Sequence, residues 1–471
     1  MIPSEAASDL RAMEKLISSP SARNAASSQR ESPSVRIYSD CRSPYLVSSL
    51  HGLSVSSIST SRRKTKDEPY QQGTSVIGFY ASGIEGLFRA ELDNIAMIFP
   101  REDCGIAIEV TTRKALADLA KTLRELNMQI KQNLTADCFL AYEVIEKVTA
   151  AAHGVNAAVA SKSDGIKLPF AEALKPIRET AKTSLPELLE DQRRRINEMQ
   201  ILPANGSTLP FTTETMKRMQ SLTESRNSVA SILMSLGDGN WTHPGSTNQH
   251  TNSSTSLPSL KSLDVGADGS QLLSHYILDT LDIHINQLES RARVLLKSKA
   301  VHGAFLSNTI ATIDKMIRTS DLDSLLANPT AQTKLDAWRK KGMSIYMDSW
   351  REPSSALFDV QYTNRSGPRP HSGTTLASTE VVKSLSGKDK DAIKEKWKLF
   401  NGSFDECVKR HREMSGGMER EVKSNLSREV GNMVEPLYAR FWDRYEALDR
   451  GRGKYVKYDK GQLSAILASL G

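Results

Sequence analysis

Apolar residues recur along this chain at steps of three and four, the spacing of one helical face. Leu116, Leu119, Leu123, Leu126, Ile130 and Leu134 form one such stripe, and Leu273, Ile277, Leu281, Leu288, Ala292 and Leu295 form a second. Val422, Leu426, Val430, Met433 and Leu437 form a third. Ser403-Phe-Asp-Glu406 has the capping-box form ahead of Val408 and predicts a helix start there. Strand-like alternation is scarce, Ala356 to Tyr362 being the best stretch, and it does not change the prediction of an all-α fold.

Polar, breaker-rich segments divide the helices. Residues 1–65 carry 18 serines, and Pro20, Pro33 and Pro44 there argue against a long helix, with Gly52 weakening it further. Thr242 to Gln271 holds 11 Ser/Thr, two prolines and three glycines, which predicts a disordered loop. Asn364 to Thr379 predicts a second loop and Ala151 to Gly165 a third, while Gly416-Gly417 interrupts a helical run. The expected domains are 1–65, 66–200, 201–350 with the loop 242–271 inside it, and 351–471. No fixed repeat of 20–50 residues appears, which disfavours a regular solenoid.

Composition narrows the class. At 471 residues the chain is too long for one core, and 39% hydrophobic residues suit slender bundles with polar connections. Cys41, Cys104, Cys138 and Cys407 are widely spaced, as in a cytosolic protein with reduced thiols and no zinc site. No apolar run approaches the ~20 residues of a membrane span. The N-terminus lacks a signal-peptide pattern, and Glu5, Asp9 and Glu14 argue against a transit peptide. A soluble, intracellular protein is expected.

Catalytic signatures are absent: there is no phosphate loop, nucleophile elbow or HExxH pair. Asp279, Asp282 and His284 are close in sequence, but Asp282 and His284 are two apart and read as surface residues on different helix faces. His243 and His250 fall in the predicted loop, His302 reads as a packing residue, and Arg193-Arg-Arg195 as a salt-bridged helix face. No enzyme activity, cofactor or metal is expected.

The net charge of +7 is unevenly placed. From Lys388 onward there are 18 Lys/Arg against 14 Asp/Glu, so four of the seven excess charges lie in the last 84 residues. The densest cluster, Arg450 to Lys460, sets Arg450, Arg452, Lys454, Lys457 and Lys460 against Asp459 alone. Such a patch suits an anionic surface, either membrane or nucleic acid, or is a solvated loop.

Three separated blocks carry a resemblance. Leu168 to Lys182 (LPFAEALKPIRETAK), Leu335-Asp-Ala-Trp338, and Glu435 to Tyr445 followed by Lys454-Tyr-Val-Lys-Tyr458 resemble the 70 kDa subunit of the exocyst in its fungal form, from about Val35 to Leu470. The resemblance implies an elongated rod of stacked antiparallel helical bundles without enzymatic activity. It implies an assembly of exocyst subunits that tethers secretory vesicles to the plasma membrane, peripheral there at sites of polarised growth such as bud, bud neck and hyphal tip. It also implies binding of phosphatidylinositol 4,5-bisphosphate by the basic C-terminal bundle, the family's lysine pair matching Lys454 and Lys457, with Arg450, Arg452 and Lys460 widening the patch. A Rho-type GTPase is a further implied partner, without assignable residues. Set against the resembled family, its N-terminal helical stretch, associated with pairing to other subunits, is expected to be missing from this chain, which bears on assembly with them.

The residues agree with this reading on their own terms. Lysines at a spacing of three set two ammonium groups near one another, with Tyr455 and Tyr458 packed or at the lipid interface. Each cation near an anionic leaflet contributes about 1 kcal/mol, so a net of four gives roughly 4 kcal/mol, millimolar binding that needs further anchors. The alternatives are a nucleic-acid-binding scaffold, permitted by a pI near 9.0, and a purely structural helical adaptor. Against nucleic acid, the cluster has no glycine–arginine repeat, RNP aromatics or helix-turn-helix pattern.

Overall fold

The computed structural model describes residues 2–17, 32–63, 68–163, 166–242, 269–358, 378–449 and 453–471, and among these every regular element is a helix. The fold is all-α, as the periodicity predicts. Two compact units divide the chain: Met1–Asp191 with Ser221–Ile277, and Gln192–Gln220 with Leu278–Gly471.

The first unit begins with α1 (Ser4–Ile17), α2 (Pro33–Thr60), α3 (Ile77–Ile98), α4 (Arg101–Gln132) and α5 (Leu134–Lys162). Hydrogen bonds reveal how these helices run. Ser43 donates to the Thr111 carbonyl, Ser54 pairs with Thr122, and Ser61 bonds to Gln129, each pair 68 residues apart. A constant offset means that α2 and α4 are parallel, so α3, which joins one end of the pair to the other, runs back between them. The second pair repeats this. A Cβ on Gly78 would meet Lys147 and one on Gly154 would meet Glu85, while Lys162 pairs with Asp93, so α3 and α5 are also parallel. The four helices alternate in direction.

Two sequence expectations fail here. Pro44 lies inside a continuous 28-residue helix, and Pro33 sits at its first turn behind the cap Ser32, whose side chain accepts from the Val35 amide at 3.2 Å. Proline needs no donor at a first turn. In the helix interior, burial of Leu46 and Leu50 and the bonds from Ser43 and Ser54 to α4 outweigh Pro44's missing donor. The predicted loop at 151–165 is helical as far as Lys162, because Ala151, Ala152, Val155 and Val159 are buried and supply the helix with an apolar face.

Charge is buried in this unit. Glu91, 1% exposed, accepts from Tyr38 at 2.8 Å and from Arg42 at 2.6 Å, a paired and hydrogen-bonded carboxylate. The unit also holds α6 (Phe170–Glu198) up to Asp191, the later part of α7 (Pro210–Glu224), α8 (Arg226–Leu236) and the start of α9 (Gly269–Leu295). The predicted loop 242–271 lies outside the described residues from 243 to 268, and Gly269 to Gln271 are helical.

The second unit takes the remainder of α6, α7 and α9 with α10 (Lys299–Arg318), α11 (Leu322–Leu325), α12 (Pro329–Asp348) and α13 (Arg351–Ala356). Then follow α14 (Ser378–Ser384), α15 (Gly387–Met414), α16 (Arg420–Tyr445) and α17 (Lys460–Ala468). Gly303 faces Tyr346 and Gly342 faces Ser307, an opposed register that makes α10 and α12 antiparallel. His284 is buried and not a surface residue; its Nε2 lies 3.1 Å from the Thr212 hydroxyl, and desolvation pushes its pKa down to about 3. Asp282 is half-buried and accepts from the Trp338 indole at 3.2 Å. His302 is buried as expected, and Arg195 pairs with Glu214 at 2.7 Å.

Further corrections concern this unit. Ser403 to Glu406 lie inside α15, where the Ser403 hydroxyl donates back to the Leu399 carbonyl at 2.7 Å instead of capping. The cap of α15 is Ser386, which accepts from the Asp389 amide. Gly416-Gly417 form a short 3-10 turn with Ser415, ending α15. Ala356 of the strand candidate closes α13, and residues 359–362 lie outside the described residues, as do 364–377 of the second predicted loop. On α16 the buried stripe is Val422, Leu426, Val430, Val434, Tyr438, Phe441 and Tyr445, turning away from the predicted Met433 and Leu437 after its third member.

Candidate lipid-binding site

An aromatic core positions the basic end. Trp397 and Phe400 of α15 pack on Tyr438 and Phe441 of α16, with ring centroids 4.8–5.6 Å apart for Trp397–Phe441, Phe400–Tyr438 and Trp397–Tyr438, and Phe404 stacks on Phe400 at 5.2 Å. Edge-on and offset contacts of this kind add to area burial. The segment 453–459 crosses this wall without forming a helix. Its Tyr458 ring lies 5.7 Å from Phe404, and the Tyr458 carbonyl accepts from the Tyr438 hydroxyl.

Backbone capture fixes its path. The buried Asp449 carboxylate accepts from the amides of Lys454 at 3.1 Å and Tyr455 at 2.9 Å. Gly453 sits at φ +63°, a conformation glycine takes without strain. Asn401 donates to the Tyr455 carbonyl at 2.8 Å. Asp459 then starts α17 with a full capping box to Gln462.

The five candidate cations fare differently. Arg450 and Arg452 lie outside the described residues. Lys454 is exposed, and its ammonium lies 5.6 Å from the centre of the Tyr455 ring. Lys457 pairs with Asp405, which also accepts from the Tyr458 hydroxyl. The hydrogen bond to Asp405, followed by that to Tyr458, raises the Lys457 pKa and keeps it charged. Lys460 pairs with Asp443 and lies 5.1 Å from the Trp442 ring centre.

Helical spacing therefore does not govern Lys454 and Lys457. In this non-helical segment they rest at different points along α15, Tyr455 beside Lys394 and Asn401, Lys457 beside Asp405. Lys394, 5.8 Å from the Tyr455 ring centre, joins the basic surface from a helix outside the dense Arg450–Lys460 cluster. The available signal was the recurrence of polar residues at 394, 398, 401 and 405, one face of α15. No helix among the described residues is long and apolar enough to cross a membrane, and no group of three metal-ligating side chains occurs among them.

Comparison with known proteins gives a consistent result. Residues 74–469 match the family model for the C-terminal part of Exo70, a subunit of the exocyst complex. The exocyst complex protein EXO70 of Gibberella zeae is 45% identical over 434 residues, covering 92% of this chain and 67% of that protein. The exo70 protein of Neurospora crassa is 44% identical, with coverage of 94% and 68%. The chain thus spans about two-thirds of the length of these relatives. A solved structure of Saccharomyces cerevisiae Exo70 has the same fold, with TM-score 0.71 at 18% identity, covering 100% of this chain and 80% of that one. By the extent of the family match and the identity to two fungal relatives, this chain belongs to the Exo70 family of exocyst complex subunits.

Proposed function

We propose that this exocyst subunit helps tether secretory vesicles to the plasma membrane by binding phosphatidylinositol 4,5-bisphosphate through its basic C-terminal end. The observation that carries the reading is the exposed Lys454, held outward by the amide contacts to Asp449 on a segment anchored against the aromatic wall. Lys457, Lys460, Arg450 and Arg452 extend the same stretch of sequence and complete the proposed lipid contact. Other exocyst subunits and a Rho-type GTPase are the proposed protein partners, the latter on residues still to be placed. The working location is the cytoplasmic face of the plasma membrane at sites of polarised growth.

Attraction of about 1 kcal/mol per cation makes this an anchor that works in combination with others, as a multi-subunit tether supplies. Liposome co-sedimentation tests it, with and without phosphatidylinositol 4,5-bisphosphate, comparing the wild type with Lys454→Glu/Lys457→Glu. Lipid-dependent pelleting that the double variant loses while retaining its helical circular dichroism supports the reading. Equal pelleting of both proteins sinks it.

A further inference from the structure

Asp405 occupies the place an anion would take. Its carboxylate receives the Lys457 ammonium and the Tyr458 hydroxyl, two donors from the segment the lipid reading assigns to the membrane. It also lines a groove of about 370 Å³ with Phe404, Val408, Lys409, Arg412 and Tyr458. That volume lies within the ~300–1,000 Å³ typical of small-ligand sites. Glu413 shares the lining, so two acids balance Lys409 and Arg412. With Lys457 counted, three cations face two acids, and Asp405 lowers the attraction of this surface for an anion.

We propose that Asp405 is an autoinhibitory counter-anion: tethered on Lys457 and Tyr458, it competes with the lipid headgroup for both donors, and a phosphomonoester headgroup displaces it. The proposal rests on the lipid-binding reading. A headgroup with a net charge of −1, such as phosphatidylserine, brings no more charge to Lys457 than the carboxylate it must replace. A phosphomonoester brings about −1.5 to −2 and three acceptor oxygens. The exchange is accessible because Lys457 and Asp405 are 49% and 39% exposed, and exposed ion pairs of this kind are weak. Once Asp405 is displaced, Lys457 and Tyr458 are both available to donate to the headgroup.

The test measures full-chain binding to two vesicle types of matched surface charge, one with phosphatidylserine and one with phosphatidylinositol 4,5-bisphosphate. Asp405→Asn is expected to raise affinity for the phosphoinositide vesicles by about threefold to fivefold and for phosphatidylserine vesicles by no more than that. In a Lys457→Gln background the same substitution is expected to change neither. A larger gain on phosphatidylserine, or a gain that survives Lys457→Gln, would mean that Asp405 does not act by occupying Lys457, and overturns the proposal. Weaker binding to both overturns it too, since Asp405 would then be holding Lys457 in position. Asp405→Ser gives a second reading should the asparagine variant melt early. Soluble inositol 1,4,5-trisphosphate is expected to compete only at excess. If it binds as tightly as vesicles do, the ligand is a free phosphate and the lipid assignment fails. If the wild type binds neither vesicle and Asp405→Asn binds neither, the parent reading is lost and this one with it.

Discussion

Gly303 on α10 faces the backbone of Tyr346 on α12 so closely that a Cβ placed on it would lie 2.3 Å from the Tyr346 nitrogen. The obstacle is main chain, which cannot turn aside as a side chain does. Gly303→Ala is therefore expected to force the two helices apart and lower stability by about 2 kcal/mol, overpacking outweighing the ~1 kcal/mol gain in helix propensity. Gly402→Ala is the control: nothing lies within 4 Å of its Cβ, and a gain of about 0.5–1 kcal/mol is expected. Urea melts followed by circular dichroism read both.

Acid should destabilise the second unit through its buried histidines. His284 has a pKa near 3 in the fold, against about 6.5 in the unfolded chain. Burial lowers His302 and His411 as well. The unfolded state binds more protons below pH 6.5, so this stability is present above that pH and is lost as pH falls toward 3. For His284 alone the loss is about 1.4 kcal/mol per unit across that window. Melts at pH 7.5, 6.5 and 5.5 should show the fall, and His284→Gln should make it shallower. An unchanged slope in that variant would remove His284 from the account.

Asp449 ties the order of the basic segment to its function. Without its carboxylate the Lys454 and Tyr455 amides lose their acceptor. Asp449→Ala should cost about 1–2 kcal/mol of stability and reduce binding to phosphoinositide vesicles by less than about tenfold. Wild-type vesicle binding in this variant would show that the segment needs no preset path.

In the first unit, Arg42→Met leaves Glu91, at 1% exposed, without its cation. Removing one partner of a buried pair costs about 3–5 kcal/mol. The lower end is expected because Arg42 is 26% exposed and Tyr38 still donates. A Glu91→Gln/Arg42→Met double variant should recover part of the loss in a thermal melt.

Much of the helix content was legible because buried apolar residues recur at the helical period: Leu116 through Ile130 and Leu273 through Ala292 are all buried. Local punctuation misled where packing decided the outcome. Pro44 sits in a helix held by its neighbours, and Ser403 to Glu406 carry a capping pattern in mid-helix, where the Ser403 hydroxyl bonds to its own helix. The basic end was visible as a density of lysines, yet Asp405 and Asp443, which pair with Lys457 and Lys460, lie 52 and 17 residues away in sequence. Pairings across that separation leave no periodic trace.

The constant offsets among α2 to α5 bear on which length changes the chain tolerates. Gly78 against Lys147, Glu85 against Gly154, and Asp93 against Lys162 share one spacing of 69 residues. A residue inserted inside α3 would break that spacing, turning one part of the helix about 100° and advancing it about 1.5 Å past α5. The three contacts could not then hold together. An insertion ahead of α3, in the connection that follows α2, leaves the spacing intact. Natural length variation in this unit should accordingly collect in its connections and spare the interior of α3.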